Sequence, residues 1–225
     1  MVMEWKADKA LVFGATGLIG SHLVKLLVKS KEYKEVILFT RKPLESTTPK
    51  VKVVTFDFDQ WEGVEEYFTP SAKVFCCIGT TKAKTPGSEE YRKVDFGIPV
   101  KIAEFAARGS CRGMLVVSAL GANEGSLNFY LKTKGQMEKE VEAKGIHETY
   151  FFRPALLLGE RNEIRRGEDF GKMMNGILSP ILFGNLKKYR GIEAAVVARA
   201  MLKVSRNGYP NMVIESDKIY DLGNA

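Results

Sequence analysis

The run Gly14-Ala15-Thr16-Gly17-Leu18-Ile19-Gly20 follows the apolar segment Ala10–Phe13 and opens a stretch whose Ile19, Leu23, Leu26 and Leu27 share one helical face. Strand, glycine turn and amphipathic helix in that order leave few folds open. A residue without Cβ at Gly14 permits a tight turn, Gly17 lets the backbone approach a ligand, and Gly20 lets helix and sheet pack closely. The helix then offers free amides and the positive end of its dipole to an anion, which suits a pyrophosphate. Gly14, Thr16, Gly17, Leu18 and Ile19 are therefore candidate dinucleotide contacts; a purely structural turn is the alternative.

The remainder repeats the pattern. Short apolar runs at Ala10–Phe13, Val36–Thr40, Val51–Phe56, Lys73–Ile78, Met114–Val117 and Thr149–Phe152 alternate with amphipathic stretches, as βα units on a parallel sheet do. Val100, Ala103 and Ala107 share a face within Glu89–Arg108, and Met137, Val141 and Lys144 continue a helix begun near Leu127. Right-handed crossovers then predict the strand order 3-2-1-4-5-6 of a doubly wound Rossmann sheet with helices on both faces. After Arg153-Pro154 the regularity falls away: Gly159–Gly171 is polar, Met173–Phe183 carries Gly176 and Pro180, and a helix is expected over Ile192–Val204 before the apolar Met212–Ile214. With 225 residues the chain suits one domain: a cofactor-binding core over 1–154 and a small substrate-covering portion over 155–225.

Composition excludes several classes. The net charge of +7 is scattered, with local groups at Lys82/Lys84, Arg161/Arg165/Arg166 and Lys187/Lys188/Arg190. It lacks the recognition helix or interleaved aromatics of a nucleic-acid binder. The arginines of the polar loop could steer an anionic substrate, although a solvated loop is the plainer reading. Cys76, Cys77 and Cys111 lack metal-ligand spacing and read as buried thiols, and neither His22 nor His147 has a partner cluster, so no metal is expected. No apolar run could span a bilayer, and the opening residues lack the order of a signal peptide, so a cytoplasmic location is expected.

The end of the second strand selects the dinucleotide, because an acid there binds ribose hydroxyls and a base accepts a 2′-phosphate. The sequence reads Phe39-Thr40-Arg41-Lys42. NADP(H) is expected, with Arg41 offering a planar donor array and Lys42 a point charge. Asp57, after the third strand, could bind the adenine amino group beside Phe58, and Ile78-Gly79-Thr80-Thr81 forms a second glycine turn along the dinucleotide's path.

Tyr130-x-x-x-Lys134 puts a phenol and an ammonium one helical turn apart. With eight tyrosines in the chain a chance match is expected, so position carries the argument: the pair follows the fifth strand, which ends at Ser118. A phenol ionises near pH 10, and an ammonium about 4 Å away at an effective dielectric near 20 would favour the phenolate by roughly 4 kcal/mol, about three pKa units before desolvation. Tyr130 could then exchange a proton near neutral pH. Ser118 would hydrogen-bond the substrate oxygen, and Lys134 would hold the nicotinamide ribose.

This assembly resembles the short-chain dehydrogenases/reductases. Cys76-Cys-Ile-Gly-Thr-Thr-Lys-Ala-Lys, Tyr91-Arg-Lys-Val-Asp95, Ser118-Ala-Leu-Gly-Ala, Asn128-Phe-Tyr-Leu-Lys-Thr-Lys-Gly-Gln-Met-Glu, Phe152-Arg-Pro-Ala-Leu-Leu-Leu-Gly-Glu-Arg and Tyr220-Asp-Leu-Gly together resemble the Tat-interacting-protein branch of its atypical members. The resemblance implies an NADPH-dependent oxidoreductase acting on a small carbonyl or alcohol with Ser118, Tyr130 and Lys134 as the catalytic set. It also implies cofactor contacts from Arg41, Lys42 and the loop after Arg153-Pro154. The alternative is an NADPH-sensing module with a protein partner; a homodimer through the fourth and fifth helices is a superfamily analogy. Two departures stand out: Asp95 occupies the fourth crossover helix where an asparagine supports the proton relay of many relatives, and the substrate portion is short beside that of nucleotide-sugar-modifying relatives.

Overall fold

The structure, a computed structural model, describes residues 7–46, 48–81, 85–158 and 189–225. Strands β1 (Lys9–Phe13), β2 (Glu35–Thr40), β3 (Val51–Thr55), β4 (Ala72–Cys76), β5 (Gly113–Val117), β6 (Glu148–Arg153) and β9 (Val213–Glu215) form one seven-stranded sheet in the order β3-β2-β1-β4-β5-β6-β9. Every pairing is parallel. The six expected strands occur in the expected order, each within two residues of its expected bounds. The seventh, β9, comes from the short apolar segment Met212–Ile214. Two residues each of β7 (Leu157–Leu158) and β8 (Ile192–Glu193) make a separate parallel pair.

Strand alternation sends side chains to two cores. Ala10, Val12, Val36, Leu38, Phe75 and Phe152 meet Leu23 and Leu27 of α1 (Leu18–Lys29) and Val197 and Met201 of α5 (Ala194–Asn207). Leu11, Phe13, Ile37, Phe39, Val74 and Val116 meet Ile102 and Phe105 of α3 (Ile98–Arg108) and Met137 and Val141 of α4 (Phe129–Glu142). Strands covered on both faces need continuous apolar runs, which is why these were legible. Helix α6 (Ser216–Asn224) closes the chain, and Cβ at Gly223 would lie 2.3 Å from the Val196 carbonyl oxygen of α5, so glycine permits that contact. Of the expected substrate-covering portion, residues 159–188, including Arg161, Arg165 and Arg166, lie outside the described residues, while Ile192–Asn224 returns to the sheet.

Helix α4 starts at Phe129, two residues past Leu127, with the Asn128 side chain accepting the Leu131 N–H as its N-cap. It stops at Glu142, so Lys144 lies beyond it, and Gly145 turns the chain with φ +68°. Residues 88–108 form one helical rod with a wider π turn in the middle: α2 (Ser88–Arg92), π turn Lys93–Gly97, then α3. Pro99 has no N–H to give the Asp95 carbonyl four residues back. The π turn absorbs that lost bond and leaves Asp95 buried on the sheet side.

Candidate active site

The site lies beyond the carboxyl ends of β1, β4 and β5, at the point where strand order reverses from β1 toward β4. Gly14 adopts φ +82°, and a Cβ there would sit 2.6 Å from the Cys77 carbonyl oxygen. At Gly20 a Cβ would sit 2.1 Å from the Gly14 oxygen. The turn therefore accepts only glycine at these two places, and it seats β1, the β4 loop and α1 against one another. Helix α1 follows its N-cap Gly17 with no acidic residue in its first turn, so its N-terminal end is free to attract an anion.

Two cavities meet there. An outer groove of about 550 Å³ is lined by Gly14, Thr16 and Gly17, by Phe39 and Arg41 from the end of β2, and by Phe58, Ile78, Gly79 and Thr80. An inner cavity of about 80 Å³ is lined by Leu18, Ile19, Ile78, Gly79, Thr80, Ser118, Tyr130, Lys134 and Pro154. The structure thus brings together most of the expected set. Lys42 and Asp57 are exposed and line neither cavity. The Arg153 guanidinium is held in a two-pronged pair by Glu138 of α4, with Nε 2.9 Å from Oε1, so its side chain ties β6 to α4.

Ser118 is 4% exposed, and its Oγ is a buried atom with no hydrogen-bond partner among the described residues. A buried hydroxyl left unmatched costs roughly 1–3 kcal/mol, a cost that a bound oxygen can remove. Tyr130 is half-buried, its ring edge-on to Tyr91 with centroids 6.4 Å apart. Lys134 is buried, with Nζ 2.8 Å from Asp95 Oδ1 and 3.5 Å from the Val117 oxygen. Burial alone pushes its ammonium down, but the Asp95 charge, helped by Tyr130, more than offsets this and holds it above its usual value. Gly135, one residue on, lets α4 approach the loop after β5: a Cβ would lie 2.3 Å from the backbone at Asn123 and Glu124. That approach brings Ser118 alongside Tyr130 and Lys134.

Sequence reasoning named Asp95 only as a departure from a pattern. The structure makes it a hub, since its Oδ2 also accepts the Thr80 N–H at 2.8 Å. Cys77 lines both cavities and was read only as a buried thiol; burial raises its ionisation well above the ordinary value. Thr85, Ala155 and Leu157 complete the walls. No signal in one sequence marks such wall residues. Among the described residues no group of His, Cys, Asp and Glu could hold a metal ion, and no helix is long and apolar enough to cross a membrane.

The glycine seat, the helix end and the unmatched Ser118 hydroxyl fit a dinucleotide lying from the outer groove into the inner cavity, and residues 14–179 match the profile of a family described as NAD(P)H-binding. The chain belongs to the NAD(P)H-binding family. It is 31% identical over 226 residues to the protein named fmp52, mitochondrial, of Aspergillus fumigatus, covering 97% of this chain and 96% of that one. It is 35% identical over 155 residues to the FMP52 protein of Debaryomyces hansenii, covering 68% of this chain and 69% of that one. These relatives are named as mitochondrial proteins, which corrects the cytoplasmic location expected from the opening residues, since a missing secretory pattern does not bear on mitochondrial import. Among solved structures, UDP-glucuronic acid 4-epimerase from Bacillus cereus in complex with NAD superposes with a TM-score of 0.68 at 15% identity, covering 95% of this chain and 80% of that one. MoeE5 in complex with UDP-glucose and NAD gives 0.66 at 16% identity, covering 96% and 80%. The fold is shared with these NAD-bound proteins.

Proposed function

We propose that the chain is an NADPH-dependent oxidoreductase acting on a small carbonyl or alcohol in mitochondria, with Tyr130 as the proton-exchanging group. The observation that carries this reading is the convergence of Ser118, Tyr130 and Lys134 on one small cavity that continues into the glycine-lined groove. The segments around Asp95, Ser118 and Tyr130 support placing the chain in the Tat-interacting-protein branch of the atypical short-chain enzymes. Glycine turn and α1 amides would hold the pyrophosphate, Arg41 the 2′-phosphate, and Lys134 the nicotinamide ribose. When bound, the nicotinamide supplies hydride. The chain's own work is then orientation and proton management: the free Ser118 hydroxyl donates to the substrate oxygen, and Tyr130, one helical turn from Lys134, exchanges the proton with that oxygen. The narrow inner cavity favours a substrate of few heavy atoms at the reacting end.

The test follows NADPH oxidation with a panel of aldehydes, ketones and quinones. Wild type is expected to turn over members of the panel, and Tyr130→Phe to lose about 100-fold or more in kcat/KM while still binding NADPH. Turnover that survives in Tyr130→Phe removes the proposed acid. NADPH binding without turnover of any carbonyl favours the sensing module instead.

A further inference from the structure

A lysine beside a catalytic phenol ordinarily acts as an isolated positive charge, and the sequence alone supports that expectation for Lys134. The structure gives Lys134 a partner. Its Nζ lies 2.8 Å from Asp95 Oδ1, and the two side chains are only 3% and 2% exposed. The second carboxylate oxygen is committed to the Thr80 N–H at 2.8 Å. Both oxygens of Asp95 are thus occupied by donors.

A buried ion pair carries no net charge, and its field falls off faster than that of a lone ammonium. What Tyr130 meets is therefore a pair. The Cys76 thiol, buried behind the same two residues, illustrates it: burial pushes it up to about 11, and there Lys134 and Asp95 act in opposite senses. No other charged side chain among the described residues lines the inner cavity. Tyr130 packs edge-on against Tyr91 of α2 and shares the inner cavity with Ser118 at the end of β5 and Cys77 after β4. Arg92 of α2 is spent on Gln136 and the Phe96 ring.

We propose that Asp95 is a positioning residue that clamps Lys134 and cancels most of its charge, so that Tyr130 stays a neutral phenol at physiological pH and the site works as a proton donor, in the direction of carbonyl reduction. The inference deepens the oxidoreductase reading and rests on it for the reaction's identity. In that step a bound reduced nicotinamide dinucleotide would supply, as the reductant, the hydride that the carbonyl carbon accepts while the C=O π pair moves to oxygen. The Tyr130 O–H bond breaks, its electron pair stays on the phenol oxygen, and the proton passes to the substrate oxygen. Solvent then returns a proton to the phenolate.

The test reads the phenol itself. Protein labelled with ¹³C at the tyrosine Cζ is titrated by NMR from pH 6 to 11, with Tyr130→Phe identifying the signal. Wild-type Tyr130 is expected to ionise at or above about 10, the ordinary phenol value, and Asp95→Asn to lower that by about one to two units by leaving the ammonium unopposed. The double variant Asp95→Asn/Lys134→Met, which removes both charges, should return it close to wild type. A wild-type phenol already ionised below about pH 8, or an unchanged value in a folded Asp95→Asn, overturns the proposal. The wild-type measurement needs no variant to fold, and none of these readouts needs turnover, so loss of the oxidoreductase reading would leave the charge argument separately judged.

Discussion

At the residue scale, the proposed choice of cofactor rests on one guanidinium. Arg41 lines the outer groove just past β2, where no acid is present to pair with ribose hydroxyls, while Lys42 is exposed and lines neither cavity. Fluorescence titration should therefore show tighter NADPH than NADH binding in wild type, and Arg41→Ala should erase most of the preference, weakening NADPH by about 10- to 100-fold, in line with roughly 1.5–3 kcal/mol for a charge-assisted bond. Equal affinities in wild type would refute the assignment. Much of this site could be read before any coordinates: the glycines, Ser118, Tyr130, Lys134 and Arg41 each carry a local chemical reason for their position. The Asp95–Lys134 contact could not, since it joins two helices far apart in sequence and only their packing on the sheet brings the side chains together. Arg153 shows the converse. A family-like motif placed it near the cofactor, but a carboxylate on α4 claims its side chain.

At the element scale, the π turn at Lys93–Gly97 decides which way Asp95 faces. Because Pro99 removes the bond that would tighten this turn, Pro99→Ala should let the rod regularise and swing Asp95 away from Thr80 and Lys134. A crystal structure of the variant is expected to show α-helical geometry over residues 93–98, with the Asp95–Lys134 contact lengthened. Retention of the wide turn would mean that packing, not the missing N–H, maintains it. The strands themselves were readable because burial on both faces demands long apolar runs. Three-residue β9 was too short to show any periodicity, and α4 starts two residues past the exposed Leu127, with Asn128 as its cap.

At the scale of the whole molecule, the two cores share one sheet, and the late helix α5 is as deeply seated as the early α1. Met201 is fully buried in the core that also holds α1 and side chains of β1, β2 and β4. Met201→Ala should then cost about 2–5 kcal/mol and shift one common urea transition, whether followed by fluorescence or circular dichroism. Two separated transitions would show that the C-terminal part unfolds on its own. The outermost strand adds a practical consequence. Val213–Glu215 covers the flank of β6 through Phe151, Phe152 and Arg153. Cutting the chain back past Pro210 would strip that flank bare, and its orphaned amides and carbonyls would invite stacking of one molecule on the next, turning a trimmed expression product into a precipitate.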